Sequence, residues 1–255
     1  MTQSLETVVG TLLQCHEQLK EGTWLTSAEL TDERRTHPDE EVRRNLREAE
    51  FWTGNFGMYA VEGGEPILYF GRRSENPILN NIEKARELWN EQTGRAYTPS
   101  RMEIEAVMGS AKAGLTEIFP FSELKLEKEK GDSCFVRVST TGYAFLNETQ
   151  RRLAEIVYGA GDHFRENMKM LAASGIGNTK IYVLSPDFVR QHAKDNAIVL
   201  PVLLYNFSSN SSCDIGDLVL VDAIGSNRYA MHGVPRVPLL SGDATGFLNH
   251  LKQKT

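Results

Sequence analysis

Ser185, Pro186 and Asp187 form one of three groups of residues whose types and order suggest chemistry. They stand between a run typical of a strand and a helical pattern, so Ser185 is placed to cap a helix that Pro186 begins. The free amides of such a helix start suit an anion. In a parallel β-α-β unit this loop would lie at the carboxyl edge of the sheet, where Asp222 could join Asp187 as a carboxylate pair. A plain helix cap followed by a turn is the simpler alternative.

The second group is Glu123 with Lys125, on a strand that the sequence predicts over residues 115–128. Because side chains alternate along a strand, both would lie on one face of the sheet. A carboxylate and a lysine in this order on a strand resemble one half of many magnesium-dependent nuclease sites, where the carboxylate holds the ion and the lysine helps to orient the attacking water. Glu123 is therefore a candidate metal ligand. Charged residues on a solvated strand face are the alternative.

The third group is a pair of tyrosines, Tyr59 and Tyr69, in a predicted β-hairpin over residues 56–71. Two apolar and aromatic runs flank Gly63-Gly64, a favourable hairpin turn, and a helical pattern follows them. Aromatic residues are common in strands, so tyrosines that only pack in the sheet are one interpretation.

Gly57-Met58-Tyr59 and Tyr69-Phe70-Gly71 resemble the two half-motifs of the GIY-YIG nucleases. The resemblance implies that Tyr59 and Tyr69 position a water molecule and a scissile phosphate near one metal ion, magnesium or manganese. It also implies an arginine on the following helix. Arg86 is the candidate, although it comes later in the chain than the family arginine usually does.

The same resemblance implies a metal-binding glutamate, and the spacing does not choose between Glu105 and Glu117. The sequence therefore leaves open whether the protein is an enzyme. Our first interpretation is a binding or interaction protein of undetermined function. The alternative is a metal-dependent nuclease or phosphodiesterase, for which magnesium or manganese would be the cofactor.

The composition, with 40% apolar and 24% charged residues, is that of an ordinary globular protein. A formal net charge of −6 argues against a protein that coats nucleic acid through bulk electrostatics, although one local basic patch is compatible with it. No run approaches the roughly 18 apolar residues that a membrane span needs, and three widely spaced cysteines fit reduced thiols. We expect a cytoplasmic protein without a membrane segment.

The elements that must position these groups divide the chain into an acidic helical segment, residues 1–50, and an α+β main domain, residues 51–255. The first segment holds eleven acidic and six basic residues, which makes it a candidate surface for a protein partner. A helix is predicted over residues 4–20, and a second, over residues 40–48, is either a partner-binding arm or a solvated helix packed by one edge. Most of the strands predicted in the main domain form hairpins with the next strand along the chain, which predicts a mixed, largely antiparallel sheet with flanking helices.

Overall fold

The structure, a computed structural model, describes residues 4–19, 23–85, 97–129, 131–209, 212–215 and 228–234. Its strands are β1 (Ser4–Gly10), β2 (Thr23–Trp24), β3 (Phe51–Glu62), β4 (Glu65–Gly71), β5 (Glu117–Pro120), β6 (Glu127–Lys128), β7 (Ser133–Ser139), β8 (Asn178–Leu184), β9 (Ile198–Leu204), β10 (Cys213–Asp214) and β11 (Arg228–Val234). Its helices are α1 (Leu12–Gln18), α2 (Ser27–Thr36), α3 (Glu40–Glu48), α4 (Pro77–Asn80), α5 (Arg101–Lys112), α6 (Glu148–Tyr158), α7 (Asp162–Ala173) and α8 (Pro186–His192).

The strands form one mixed sheet with β3 at its centre. Strand β9 pairs with β3 along one side, while β11 and β4 pair with successive parts of its other side. From β9 the sheet continues through β10 and β8 to β7 and β6, and at its far side β1 and β2 flank β11. Of the pairings between described strands, only β3 with β11 and β8 with β10 are parallel. The α+β class with a mixed, largely antiparallel sheet agrees with the prediction.

The beginning of the chain differs from the predicted helical segment. The stretch predicted as one helix over residues 4–20 contains β1, which pairs antiparallel with β11, and only then α1. Val8 and Val9 are β-branched and favour a strand. The helix begins after Gly10, where Thr11 forms a capping box. The predicted helix is therefore wrong over β1. The spacing of apolar residues in this stretch contains no information about β11, the strand with which it pairs.

Helix α3 packs by one edge, which is the simpler of the two alternatives that the sequence left open. Val42 and Leu46 are buried in the core. Glu41 faces outward, and its Oε1 lies 3.7 Å from Nη2 of Arg44 in the same helix. Helix α2 packs on α6 and on β3. The division at residue 50 and a partner for the acidic segment stay predictions.

Strand β3 is irregular at residues 53–55, where its register with β9 shifts between Trp52 and Phe56. Such bulges bend a strand and are frequent next to binding sites. The irregularity coincides with the point at which β3 exchanges β11 for β4 as its neighbour. Gly54 is required there, because a Cβ would lie 2.8 Å from the carbonyl oxygen of Trp24 and 3.2 Å from Cβ of Arg73.

Helices cover the sheet on both faces, and two apolar clusters fill the space between them. One cluster contains residues from α2, α3, α6, α7 and α8, namely Leu30, Leu46, Leu153, Met168 and Val189. The other contains residues from α1, α4 and α5, namely Leu12, Ile78 and Val107. Strand β3 is therefore buried on both sides, as its nearly continuous apolar sequence requires. None of the helices in the described part of the chain is long and apolar enough to cross a membrane.

Candidate functional site

The structure does not bring the two candidate tyrosines together. In the β3–β4 hairpin Tyr59 stands opposite Leu68, and Tyr69 stands opposite Met58. Directly opposed residues share a face of the sheet, so the two tyrosines lie on opposite faces. They belong accordingly to the two different apolar clusters. The convergence around one metal ion that the nuclease resemblance implies is not present.

Each tyrosine hydroxyl has a structural partner instead. Tyr59 is fully buried and donates to the carbonyl oxygen of Ile215 at 2.7 Å, while the amide of Leu184 lies 3.4 Å from the same hydroxyl. Burial raises the pKa of Tyr59 well above its usual value. Tyr69 donates to the carboxylate of Glu62. Arg86 lies outside the described residues.

The two glycines of the nuclease-like motif are packing positions. A Cβ on Gly57 would lie 2.3 Å from Cγ2 of Ile215, and one on Gly71 would lie 2.2 Å from Cε1 of Phe56. These distances are far below van der Waals contact, so only glycine fits without a shift. Packing thus accounts for the residues that carried the resemblance.

Glu123 does not lie on a strand. Strand β5 ends at Pro120, which has no N–H to continue a ladder, and Glu123 falls in the short 3₁₀ turn that follows. Its carboxylate accepts from the hydroxyl of Thr149 at 2.6 Å and its carbonyl oxygen from Nδ2 of Asn147 at 2.9 Å, so it anchors the start of α6. Lys125 therefore does not share a strand face with it. Within the described ranges no group of three or more His, Cys, Asp or Glu side chains is placed to hold a metal ion.

Ser185 caps α8 as the sequence predicts, with its hydroxyl accepting from the amide of Phe188 at 3.2 Å. Asp187 is exposed and pairs with Arg190 at 3.0 Å. The parallel arrangement on which the anion hypothesis depended is not formed, because β10 lies between β8 and β9 and runs parallel to the first and antiparallel to the second. The sheet-edge argument for an anion therefore does not apply here, and Asp222 lies outside the described residues.

A small groove connects this helix with the tip of the hairpin. It has a volume of about 460 Å³ and is lined by Gly63, Gly64, Glu65, Pro66, Phe121, Ser122, Pro186 and Arg190. The carboxylate of Glu65 accepts from the amide of Ser122 at 3.0 Å, and hydrogen bonding with Ser122 lowers the pKa of Glu65. Its charged groups are already engaged, so this groove offers little to a ligand.

A larger cleft, of about 760 Å³, opens at the other end of the hairpin, where β3 changes neighbours. Its walls come from β2, the start of α2, the irregular part of β3, the segment after β4, the start of β5 and the end of α6. The polar and charged lining residues are Thr26, Glu29, Asn55, Arg72, Arg73, Ser74, Glu117, Arg152 and Glu155. Trp24, Ala28, Ile156, Gly159 and Ala160 complete the lining. Its size is within the range of small-molecule sites.

Asn55 fixes the floor of the cleft. Its Oδ1 accepts from the amide and the hydroxyl of Ser27 at 2.9 and 3.1 Å, and its Nδ2 donates to the carbonyl oxygen of Gly71 at 3.1 Å. The start of α2, the irregular part of β3 and the end of β4 are thereby tied to one buried side chain. A floor built this way is rigid before any ligand arrives.

Several charges of the cleft are already engaged. Arg152 pairs with Glu117 and lies over the ring of Phe119, 5.5 Å from its centroid. Glu29 closes the capping box of α2 by accepting from the amide of Thr26 at 2.7 Å. These groups form the walls of the cleft. A ligand that bound to them would have to replace the partners that they already have.

Three charged side chains differ from this pattern. The side chains of Arg72 and Glu155 make no hydrogen bond or ion pair with another residue that the structure describes. Arg73 donates to Oδ1 of Asn80 at 2.7 Å, but no described carboxylate pairs with it. Burial lowers the pKa of Arg73. The lining of the cleft therefore includes two arginines and one glutamate whose charged groups are in no described ion pair.

None of the chemical groups that the sequence suggested contains Arg72, Arg73 or Glu155. Two signals were present: the polar break Thr53-Gly54-Asn55 inside an aromatic run, and the adjacent Arg72 and Arg73 directly after a strand. A polar break of this kind indicates a bulge, and a bulge is a frequent neighbour of a site.

Comparison with known proteins gives a fold but no family. No family model and no curated protein matches the chain. One solved structure that resembles it is described as "Accommodation of massive sequence variation in Nanoarchaeota by the C-type lectin fold". The superposition has a TM-score of 0.58 and covers 92% of this chain and 98% of that one, at 14% sequence identity. The chain is thus similar in fold to a C-type lectin fold protein, and at this identity the likeness concerns the fold alone.

Proposed function

We propose that this protein is a binding protein and that the cleft at the base of the β3–β4 hairpin is its ligand site. The observation that carries the proposal is the cleft itself: a preformed opening of about 760 Å³ with a floor fixed by Asn55 and with unpaired charges among its walls. Concave sites with a few polar groups at fixed positions are typical of small-molecule recognition.

The fold likeness supports the same interpretation. The similar structure is described as a C-type lectin fold that accommodates massive sequence variation. A framework that keeps its sheet while other residues vary suits recognition, because binding residues on loops can differ without loss of the core. Fold alone does not assign a ligand. The lining of the cleft has to do so.

The nuclease alternative receives no such support. Tyr59 is buried on one face of the sheet with its hydroxyl bonded to a backbone carbonyl, and Tyr69 lies on the other face. We expect no cleavage of plasmid DNA or RNA in the presence of magnesium or manganese. Cleavage that disappears in Tyr59→Phe would restore the alternative.

The binding proposal is tested by closing the cleft. Ala160 is an exposed lining residue, so Ala160→Trp should fill the opening without disturbing the core. Ala106, exposed on α5 and not part of the lining, gives the matched control Ala106→Trp. A panel of sugars, amino acids, nucleotides and organic acids is screened by ligand-observed NMR. We expect at least one compound to bind the wild type and Ala106→Trp but not Ala160→Trp.

Two results would count against this proposal. Compounds that bind all three proteins equally would place the site elsewhere on the molecule. Absence of binding across the whole panel would argue against a small-molecule site in this cleft.

A further inference from the structure

We infer that the cleft selects a small ligand that carries an anionic group, a carboxylate or a phosphate, and that Arg72 and Arg73 bind this group. The inference rests on the proposed function, since it names the chemistry of the ligand for the same cleft.

The chain brings two consecutive arginines to the lining of one opening. In a regular strand, neighbouring side chains point to opposite faces. Here β4 ends at Gly71, Arg72 is extended with φ −101° and ψ 177°, and a 3₁₀ turn begins at Arg73. Because the strand ends before them, the strict alternation of a strand does not apply to the pair, and both residues line the same cleft. The end of β4 is held in place by the bond from Asn55 to the carbonyl oxygen of Gly71.

Both arginines have donors to offer. A guanidinium carries five N–H donors in a planar fork that matches a carboxylate or a phosphate. The guanidinium of Arg72 has no partner among the residues that the structure describes, and the bond from Arg73 to Asn80 uses only part of the Arg73 fork. A bidentate contact from either arginine is therefore geometrically open.

Arg73 gains most from an anion. It is partly buried, and the cost of removing its charge from water lowers its pKa. A buried charge is normally matched by an opposite one, and no described carboxylate is paired with Arg73. An anion in the cleft would supply the missing charge and offset this desolvation.

The carboxylates of the cleft do not cancel the two arginines. Glu117 is paired with Arg152, and Glu29 is bonded to the amide of Thr26. Only Glu155 remains without a partner among the described residues, against two available guanidinium groups. This excess of positive charge is local to the cleft, because the whole chain has a formal charge of −6. A small anion held by specific contacts fits this distribution better than an extended polyanion.

The test compares anions in thermal unfolding and in isothermal titration of the full-length protein. Inorganic phosphate and succinate are the probes, and sodium chloride at equal ionic strength is the reference. We expect one of the two probes to raise the melting temperature above the chloride reference, because a ligand that binds the native state stabilises it. The probe that does so distinguishes a phosphate site from a carboxylate site.

Variants then assign the site. Arg72→Gln should weaken binding of the active probe by at least about tenfold, since hydrogen bonds to charged groups are among the stronger ones. Arg101→Gln is the matched control, because its side chain is 93% exposed on α5 and outside the cleft. It should bind like the wild type. Glu155→Gln removes the one carboxylate of the cleft that has no described partner, and this variant should bind the anion equally well or more tightly.

The outcomes separate this inference from the proposed function. If neither probe binds, or if Arg72→Gln binds as tightly as the wild type, the anion inference is wrong. If uncharged compounds nevertheless bind and Ala160→Trp abolishes their binding, the proposed function stands without it. If an anion binds and Ala160→Trp has no effect on it, the cleft is not the anion site and both proposals fail for that ligand.

Discussion

Gly71 shows how a residue without a side chain fixes the hairpin against the core. A Cβ at this position would lie 2.2 and 2.5 Å from Cε1 and Cζ of Phe56, whose ring is fully buried. We expect Gly71→Ala to lower the free energy of unfolding by about 1 to 3 kcal/mol, the usual cost of overpacking a core. Urea denaturation measures this difference.

Gly109 provides the control for the same chemical change. It lies on the exposed face of α5, and no atom outside its own helix would come within 4 Å of an added Cβ. Gly109→Ala should therefore raise the free energy of unfolding by up to about 1 kcal/mol, because alanine favours a helix more than glycine does. Effects of the same sign in both variants would contradict the packing explanation.

Tyr59 and Tyr69 show how the length of a turn decides which side chains share a face of a hairpin. A two-residue turn at Gly63 and Gly64 fixes the register of the hairpin. Glu62 must then pair with Glu65, and each residue before Glu62 pairs with the residue that lies equally far after Glu65. In that register Tyr59 and Tyr69 are one position out of alignment and must lie on opposite faces. The turn length, already visible in the sequence, was enough to separate the two candidates.

Among the elements, α2 and α3 are joined by one buried cation. Arg34 of α2 is fully buried and donates from Nε to the carbonyl oxygen of Leu46 at 3.0 Å and from Nη2 to that of Ala49 at 2.9 Å. These carbonyls belong to the end of α3, where helical partners run out. Burial lowers the pKa of Arg34 to about 9, and the rings of Phe51 and Phe207 lie 5.8 and 5.5 Å from the guanidinium. Arg34 thus closes the end of α3.

Replacement of this arginine should loosen the helix pair. Arg34→Met keeps much of the volume but leaves the two carbonyls unpaired, so we expect a loss of about 2 to 4 kcal/mol in the free energy of unfolding. The amides of α3 should also exchange faster with deuterium. Arg44→Met, at an exposed position of α3, should change stability by less than about 0.5 kcal/mol. A stable Arg34→Met protein with unchanged exchange would show that the contact is dispensable.

Elements that depend on neighbouring residues were predicted correctly, whereas the pairings between distant strands were not. The hairpin of β3 and β4 and the cap at Ser185 depend on a few neighbouring residues, and each has the predicted form. Strand β1 pairs with β11 at the other end of the described chain, and β10 separates β8 from β9. No local pattern contains such information. The cleft arises from the same kind of distant arrangement, so its residues could not be assembled from the sequence.

At the scale of the whole molecule, one carboxylate connects the helical layer of α5 with the central sheet. Glu103 accepts from Nζ of Lys84 at 2.9 Å, from the amide of Ser100 at 2.6 Å and from the hydroxyl of Tyr97. Tyr97 is bridged in turn to Val199 of β9, whose amide donates to its carbonyl oxygen at 2.9 Å. Partial burial is the largest single influence and raises the pKa of Glu103, but these hydrogen bonds together outweigh it and leave the pKa at about 2.

This carboxylate makes the fold sensitive to acid. The pKa of Glu103 is lower in the native state than its usual value of 4.5, so its contribution to stability is complete above pH 4.5 and is lost as the pH falls towards 2. Allowing for partial solvent screening, we expect it to be about 1 to 2 kcal/mol. Glu103→Gln should therefore be less stable than the wild type at pH 7 by this amount, and the difference should shrink at pH 2.5. Glu105→Gln is the control, because Glu105 is on the same helix and its exposed ion pair with Arg101 contributes little. Urea midpoints at the two pH values give both comparisons, and a difference between Glu103→Gln and the wild type that is the same at both would refute the assignment.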